Sequence, residues 1–244
     1  MIPLGEPVAA QGPVIPDFGT GSDCIVENRL FCPDWVRDNW GPVLQPALLQ
    51  HVKLTIIAVA IGFVLAFIAA LLARHRPWFE RPFDLVSALV YTIPSIALFQ
   101  LLVPVTGLTV TTVEVALVSY TLLILFRNFL TGFRSVPADV LEAARGMGMG
   151  SFQVLRRVEL PLALPAIMAG VRVATVSTIA LATVAAFVIP EGLGRPIFLA
   201  LRQFFNTELI VTALLAIGLA LVADGLLVLA QRALTPWTRV RTRP

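Results

Sequence analysis

The sequence is poor in charge and poorer still in lysine. Charged residues make up 14% of the 244, and Lys53 is the only lysine. Hydrophobic residues make up 57%, which leaves too little polar surface for a water-soluble domain of this length and requires lipid as the solvent. The single lysine stands in His51-Val52-Lys53-Leu54, without the glycine-rich loop ending in Gly-Lys-Ser/Thr that cradles nucleotide phosphates, so ATP hydrolysis of that type is excluded from this chain. Neither H-E-x-x-H nor G-x-S-x-G occurs, and the two histidines, His51 and His75, flank opposite ends of one apolar run. No metal site and no catalytic residue is therefore expected. The formal net charge of +3 comes from basic residues gathered at the ends of apolar runs, which fits orientation in a bilayer rather than a nucleic-acid partner.

What the chain does have is about five apolar runs, over residues 52–73, 83–105, 110–130, 162–189 and 208–230. Each is long enough, at about 1.5 Å per residue, to cross a hydrocarbon core of roughly 30 Å. The fold class is an all-α membrane protein. The second run carries Tyr91, Thr92, Pro94 and Ser95 at its middle, so a kink or break is expected there. After the fourth, Ile197, Phe198, Leu201, Phe204 and Phe205 share one face of a helix too short to span. Before the first, Trp35, Val36, Trp40, Val43 and Leu44 fit an interfacial helix over 34–49. The expected division is an extracytoplasmic segment over 1–50, a transmembrane domain over 51–236 and a basic tail over 237–244. Residues 1–50 contain no apolar h-region and do not read as a cleaved signal peptide.

Five spans put the termini on opposite sides. Twelve arginines fall on one side: Arg74, Arg76, Arg81, Arg127, Arg134, Arg145, Arg156, Arg157, Arg232, Arg239, Arg241 and Arg243. The other side holds five basic residues, Arg29, Arg37, Lys53, Arg195 and Arg202, and Arg172 lies within a span. The richer side is expected to be cytoplasmic, with the N-terminus outside and the C-terminus inside. Cys24 and Cys32, the only cysteines, then lie on the oxidising side, where a disulfide between them is expected and two free thiols are the alternative.

Between the third and fourth runs lies a polar stretch, 137–161. Pro137, Asp139 and Glu142 favour a helix start, and Gly146, Gly148 and Gly150 stop that helix. Ser151 then reads as the N-cap of a second short helix over 152–158, and Pro161 ends the unit. Two short helices about a glycine hinge, between membrane spans, make a docking knob.

Glu142-Ala143-Ala144, then Gly148, Val158 and Leu160-Pro161 at the matching spacing resemble the EAA loop of membrane subunits of binding-protein-dependent ABC importers, with Val158 where isoleucine is usual. The fuller string LEAARGMGMGSFQVLRRVELPLALPAIMAGVR resembles permeases for osmoprotectants such as glycine betaine, carnitine, choline and proline betaine. The resemblance runs from about residue 51 to 236. It implies a MetI-like type I ABC importer transmembrane domain, in which Glu142, Ala143, Ala144, Arg145, Gly148, Val158, Leu160 and Pro161 form the ATPase-coupling loop. It implies a multi-pass plasma-membrane subunit working with two ABC ATPases, a second permease (a paralogue rather than a self copy) and an extracytoplasmic binding protein. No cofactor is expected in this chain, and ATP and magnesium would be held by the ATPase. An amino acid or similar amphiphile as cargo is the alternative within that class. An ion channel or secondary transporter is the alternative outside it, and neither would need the knob.

Charges within spans are costly and usually paired or functional. Counting along the fourth and fifth runs brings Arg172 and Asp224 to similar depth, where a structural ion pair joining two spans is expected and a role in the substrate path is the alternative. Glu114, one turn from a span end, is expected to reach water. A quaternary ammonium cargo would be met by aromatic faces, for which Tyr91, Phe99, Tyr120, Phe126 and Phe187 are candidates.

Overall fold

The computed structural model describes residues 26–237, and every regular element among them is helical. Helix α1 (Pro33–Asn39) passes through a π-helical turn, Trp40–Leu44, into α2 (Gln45–Ala73). The expected interfacial helix is therefore not separate: it is the start of one run, Pro33–Ala73. At about 1.5 Å per residue that run is about 60 Å long, twice the hydrocarbon core, so its first part stands beyond the bilayer.

The second span begins earlier than expected and is broken rather than kinked, with α3 (Pro77–Thr92) and α4 (Ser95–Thr106) bent by 104°. Pro94 has no N–H and its ring opposes a helical Ile93, which is extended at ψ 129°. The Ile93 carbonyl freed by the break accepts the Tyr120 hydroxyl at 2.5 Å, meeting the demand that backbone groups at membrane depth be satisfied inside the protein. Then follow α5 (Val110–Arg134), α6 (Ala138–Gly146), α7 (Ser151–Val154), a second π turn at Leu155–Glu159, and α8 (Leu160–Ala185). Short α9 (Gly194–Gln203) and long α10 (Asn206–Leu234) complete the chain.

Pro161 does not end the knob, because α7, the π turn and α8 form one continuous run, Ser151–Ala185. In the π turn Leu160 N–H reaches back five residues to the Leu155 carbonyl, and Pro161, which has no N–H to donate, follows directly without ending the helix. The same device, Gln45 N–H on the Trp40 carbonyl followed by Pro46, joins α1 to α2.

Contacts between helix ends fix the topology. Glu80 with Arg134 and Asp84 with Arg127 hold the start of α3 against the end of α5. At the opposite end Thr106 meets Thr112 at 2.5 Å. The chain therefore passes once from one face of the bundle to the other through α3 and α4, which count as one span, giving five. Arg74 meets Glu159, while His51 meets Ile179 and Leu193, so α2 and α8 run antiparallel. The 137–161 loop lies on the lower face with the end of α10, and α1 and α9 lie on the upper.

Helix α5 is central and packs on α2, α3, α4 and α8. The core is alanine- and phenylalanine-rich: Ala58, Leu117, Ala182 and Phe99 above, Ala66, Ala70, Phe129 and Ala163 below. Small residues let the axes approach. A β-carbon on Gly62 would lie 2.0 Å from Thr121 Oγ1, and one on Gly170 2.5 Å from Asn128 Cβ. The short helix α9 departs from the face expected of it. It buries Gly194, Pro196 and Ala200 and leaves Leu201 and Phe204 exposed, because it lies so close to the top of α8 that a β-carbon at Gly194 would be 2.2 Å from the Thr183 carbonyl oxygen.

The top of the bundle is tied by fully buried His51. Its Nδ1 accepts Leu193 N–H at 3.2 Å, so Nε2 carries the proton and donates to the Ile179 carbonyl at 3.0 Å. Gly192, at φ 60°, admits this approach, since a β-carbon there would lie 2.8 Å from Nδ1. Replacing His51 by Phe keeps a planar ring, with somewhat more volume, and strands both backbone groups, each worth about 1–3 kcal/mol when buried. Thermal unfolding in detergent should show a clear drop for His51→Phe, and an unchanged midpoint would show that the tie carries no stability.

Candidate functional site

The knob on the lower face begins where Pro137, at ψ 140°, turns the chain into α6, with Asp139 in the first turn complementing the partial positive charge of the helix start. The helix closes through Gly148. Met149 N–H bonds the Ala144 carbonyl at 3.3 Å and Gly148 N–H the Arg145 carbonyl at 2.9 Å, with Gly148 at φ 81°. This paired closure requires a left-handed residue just past the helix end, which glycine supplies without strain. Open space surrounds a β-carbon placed there, so Gly148 serves the backbone conformation and not a close approach within this chain. Ser151 is not the cap of the next helix. Gly150 holds that position, and its N–H donates to Gln153 Oε1 at 3.1 Å.

Ala144 and Val154 are buried, while Met147 and Phe152 are 70% and 71% exposed and Val140 also faces outward. Exposed Glu142, Ala143, Arg145, Arg156 and Arg157 share the knob with these apolar side chains. Large exposed apolar groups rimmed by charge are a composition common at protein-binding faces. Val158, Leu160 and Pro161 are half-buried and belong to the rod that leaves the knob, not to its exposed surface.

Sequence reading missed what anchors the knob. Glu159, buried between Val158 and Leu160, pairs with Arg74 at the end of α2, and the Arg74 guanidinium lies 5.8 Å from the Phe133 ring of α5. Arg74 had registered only as an orientation signal; the available cue was an acid at the membrane edge with no charge partner nearby in sequence. The pairs Glu80–Arg134 and Asp84–Arg127, both two-pronged at 2.5–2.9 Å, were missed for the same reason. His75, in the turn after Arg74, is held below the ordinary histidine range first by desolvation and then by the charges of Arg74 and Arg145. It adds no positive charge to the knob at neutral pH.

The structure brings Arg172 and Asp224 together, Nε to Oδ1 at 2.8 Å and Nη2 to Oδ2 at 2.9 Å. It does not gather the five aromatic candidates into a route. Phe99 and Phe126 are fully buried in separate packing clusters, and Tyr120 is committed to the Ile93 carbonyl with its ring against Tyr91. Phe187 meets Phe198 on the upper side. Packing and backbone satisfaction account for the three buried rings. Glu114 does not reach water: both carboxylate oxygens are buried and without a hydrogen-bond partner among the described residues. Cys32 is buried and disulfide-bonded, and Cys24 lies outside the described residues. On the upper face a cavity of about 360 Å³, lined by Trp35, Gln50, Arg195, Phe205 and Glu208 among others, was not evident from sequence.

A family model described as the binding-protein-dependent transport system inner membrane component matches residues 45–240. The chain belongs to this family. The permease is 35% identical to the choline transport system permease protein OpuBB of Bacillus subtilis (strain 168), covering 83% of this chain and 93% of that protein. It is 34% identical to the glycine betaine/carnitine/choline permease OpuCB of the same organism, with the same coverage. Identity is 36% to the osmoprotectant import permease OsmW of Salmonella typhimurium, over 83% and 96% of the two chains. The fold matches that of the MetNI methionine ABC transporter in an inward-facing state, with TM-score 0.69, 20% identity, and coverage of 88% of this chain and all of that one. An amino acid ABC transporter solved with histidines gives TM-score 0.67 at 19% identity over 82% and 97%. The permease is thus a multi-pass inner-membrane transport component of the type I importer fold, a class that works with ATPase and substrate-binding partners.

Removing one partner of a buried pair leaves an uncompensated charge, whereas removing both does not. Arg74→Met or Glu159→Leu alone should lower the unfolding midpoint in detergent by more than the double variant does. Additive losses would show that the pair is not a coupled anchor.

Proposed function

We propose that the permease forms, with a second and paralogous permease, the translocation path of an ATP-driven importer for osmoprotectants of the glycine betaine, carnitine, choline and proline betaine class. Two ABC ATPase subunits holding ATP and magnesium would dock on the knob, and an extracytoplasmic binding protein would deliver cargo to the upper face. The lower face is cytoplasmic on this reading, with the N-terminal segment outside, because the arginines concentrate on the side of the knob. Supporting the cargo class are the end-to-end relatives that carry choline and glycine betaine/carnitine/choline in their names. The methionine and amino acid transporters share the fold at 19–20% identity and lend no weight to amino acid cargo.

The observation that carries the ATPase role is the knob itself, with Met147 and Phe152 exposed beside Glu142 and Arg145. ATP-driven closure of the partner subunits would move the knob. Because α7, the π turn and α8 are one run, that movement would pass along the fourth span and favour the state open toward the loaded binding protein.

The test uses the intact complex in proteoliposomes. Gly148→Val forces a branched residue into a left-handed conformation that costs about 1–2 kcal/mol, which is about a tenfold loss in docking. Glu142→Lys reverses a charge on the same surface. Both variants should insert normally yet lose ATPase stimulation by choline- or glycine betaine-loaded binding protein, and uptake with it. Full stimulation and uptake at normal abundance would contradict the coupling role.

A further inference from the structure

Arg172 is the point where the bundle departs from what lipid tolerates. It lies roughly 18 Å along α8 from Leu160, near the middle of the span. Its side chain is 34% exposed and that of Asp224 is 36% exposed. The pair sits in a groove of about 360 Å³ between α8 and α10, lined by Ala169, Arg172, Val173, Val176, Ser177 and Asp224. The other flank of the same two helices is different. There a groove of about 580 Å³ is lined by side chains such as Ile56, Phe63, Val64, Val171 and Leu226, with almost no polar surface. Acyl chains can cover the second flank; an exposed guanidinium–carboxylate pair at the bilayer middle excludes them from the first.

We propose that the Arg172–Asp224 groove is part of the water-filled wall of the translocation path, and that small dipolar or cationic solutes pass along it. One observation favours water over a dry contact with another subunit. Guanidinium offers five donors, and two are used on Asp224; the remaining three have no partner among the described residues. An apolar subunit contact would strand them, while water satisfies them. The pair also has a chemical consequence for cargo. A lone carboxylate in the path would trap a cation, but one already neutralised by Arg172 presents a polar wall with little net charge. Such a wall lets a solute enter and leave, as conduction requires. The inference rests on the permease reading, and uptake by the unlabelled variants reports on that reading separately.

The experiment places single cysteines on the two flanks of the full transporter: Val173→Cys beside Arg172, and Leu226→Cys in the apolar groove, both exposed positions. Labelling is mapped by mass spectrometry, using a membrane-impermeant methanethiosulfonate and a bilayer-soluble maleimide. Only the thiolate reacts, and each unit by which an apolar setting raises a thiol pKa slows it about tenfold. Val173→Cys should react with the impermeant reagent at least about tenfold faster than Leu226→Cys. Its rate should change between nucleotide-free and ATP-bound complexes, and the adduct should block uptake. Val176→Cys, on the same groove, repeats the test should Val173→Cys fail to assemble. Labelling of the groove only by the lipid-soluble reagent would place this flank in the bilayer. Protection from both reagents in every nucleotide state would make it a sealed subunit contact. Either result overturns the proposal.

Discussion

The junction of Arg74, Glu159 and Phe133 holds the lower end of the bundle together. Three helical runs meet there: the end of the first span, the end of the third and the start of the rod that becomes the fourth. The knob departs immediately beside it. A docking element has to be exposed on one side and firmly held on the other, or force applied to it is lost in local bending. A nearly buried ion pair braced by an aromatic ring supplies that hold, and it does so without using any of the knob's outward side chains.

The rod gives the hold its mechanical meaning. Ser151–Ala185 is continuous, so residues of the knob, the Glu159 anchor and the mid-membrane Arg172 lie along one element. At about 1.5 Å per residue the run is about 52 Å long, more than the hydrocarbon thickness. Its excess length stands below the bilayer as the knob. The π turn at Leu155–Glu159 relaxes its helical register directly between the exposed surface and the membrane. Movement of the knob can therefore be taken up or passed on at a defined position.

Much of this was legible in the residues. Apolar run length located the spans, because lipid demands about twenty apolar residues per helix, and the number of spans grouped the loops by face. Gly148 was legible as one of the glycines that stop the first short helix, and the closure at Met149 and Gly148 shows how it does so, by a left-handed residue just past the helix end. Proline misled at Pro161, read as the end of the knob, since the π turn that carries the helix up to it has no sequence signature of its own. The pairing of Arg74 with Glu159, 85 residues apart, and the role of His51 depend on which helices become neighbours, which one-dimensional periodicity does not carry. Three of the five aromatic candidates are taken up by packing for a related reason: Phe99, Tyr120 and Phe126 are as apolar as a lining residue but face the interior of their own bundle.

The central claim is that the knob is the surface on which an ATPase docks. Photo-crosslinking from the knob in native membranes tests it most directly, with a benzophenone amino acid placed at Phe152 and, as a control, at Leu201 on the upper face, both exposed. The account predicts an adduct between position 152 and an ABC ATPase subunit whose yield changes with nucleotide, and none from position 201. Absence of an ATPase adduct from position 152, in membranes where the transporter is intact and active, would contradict it.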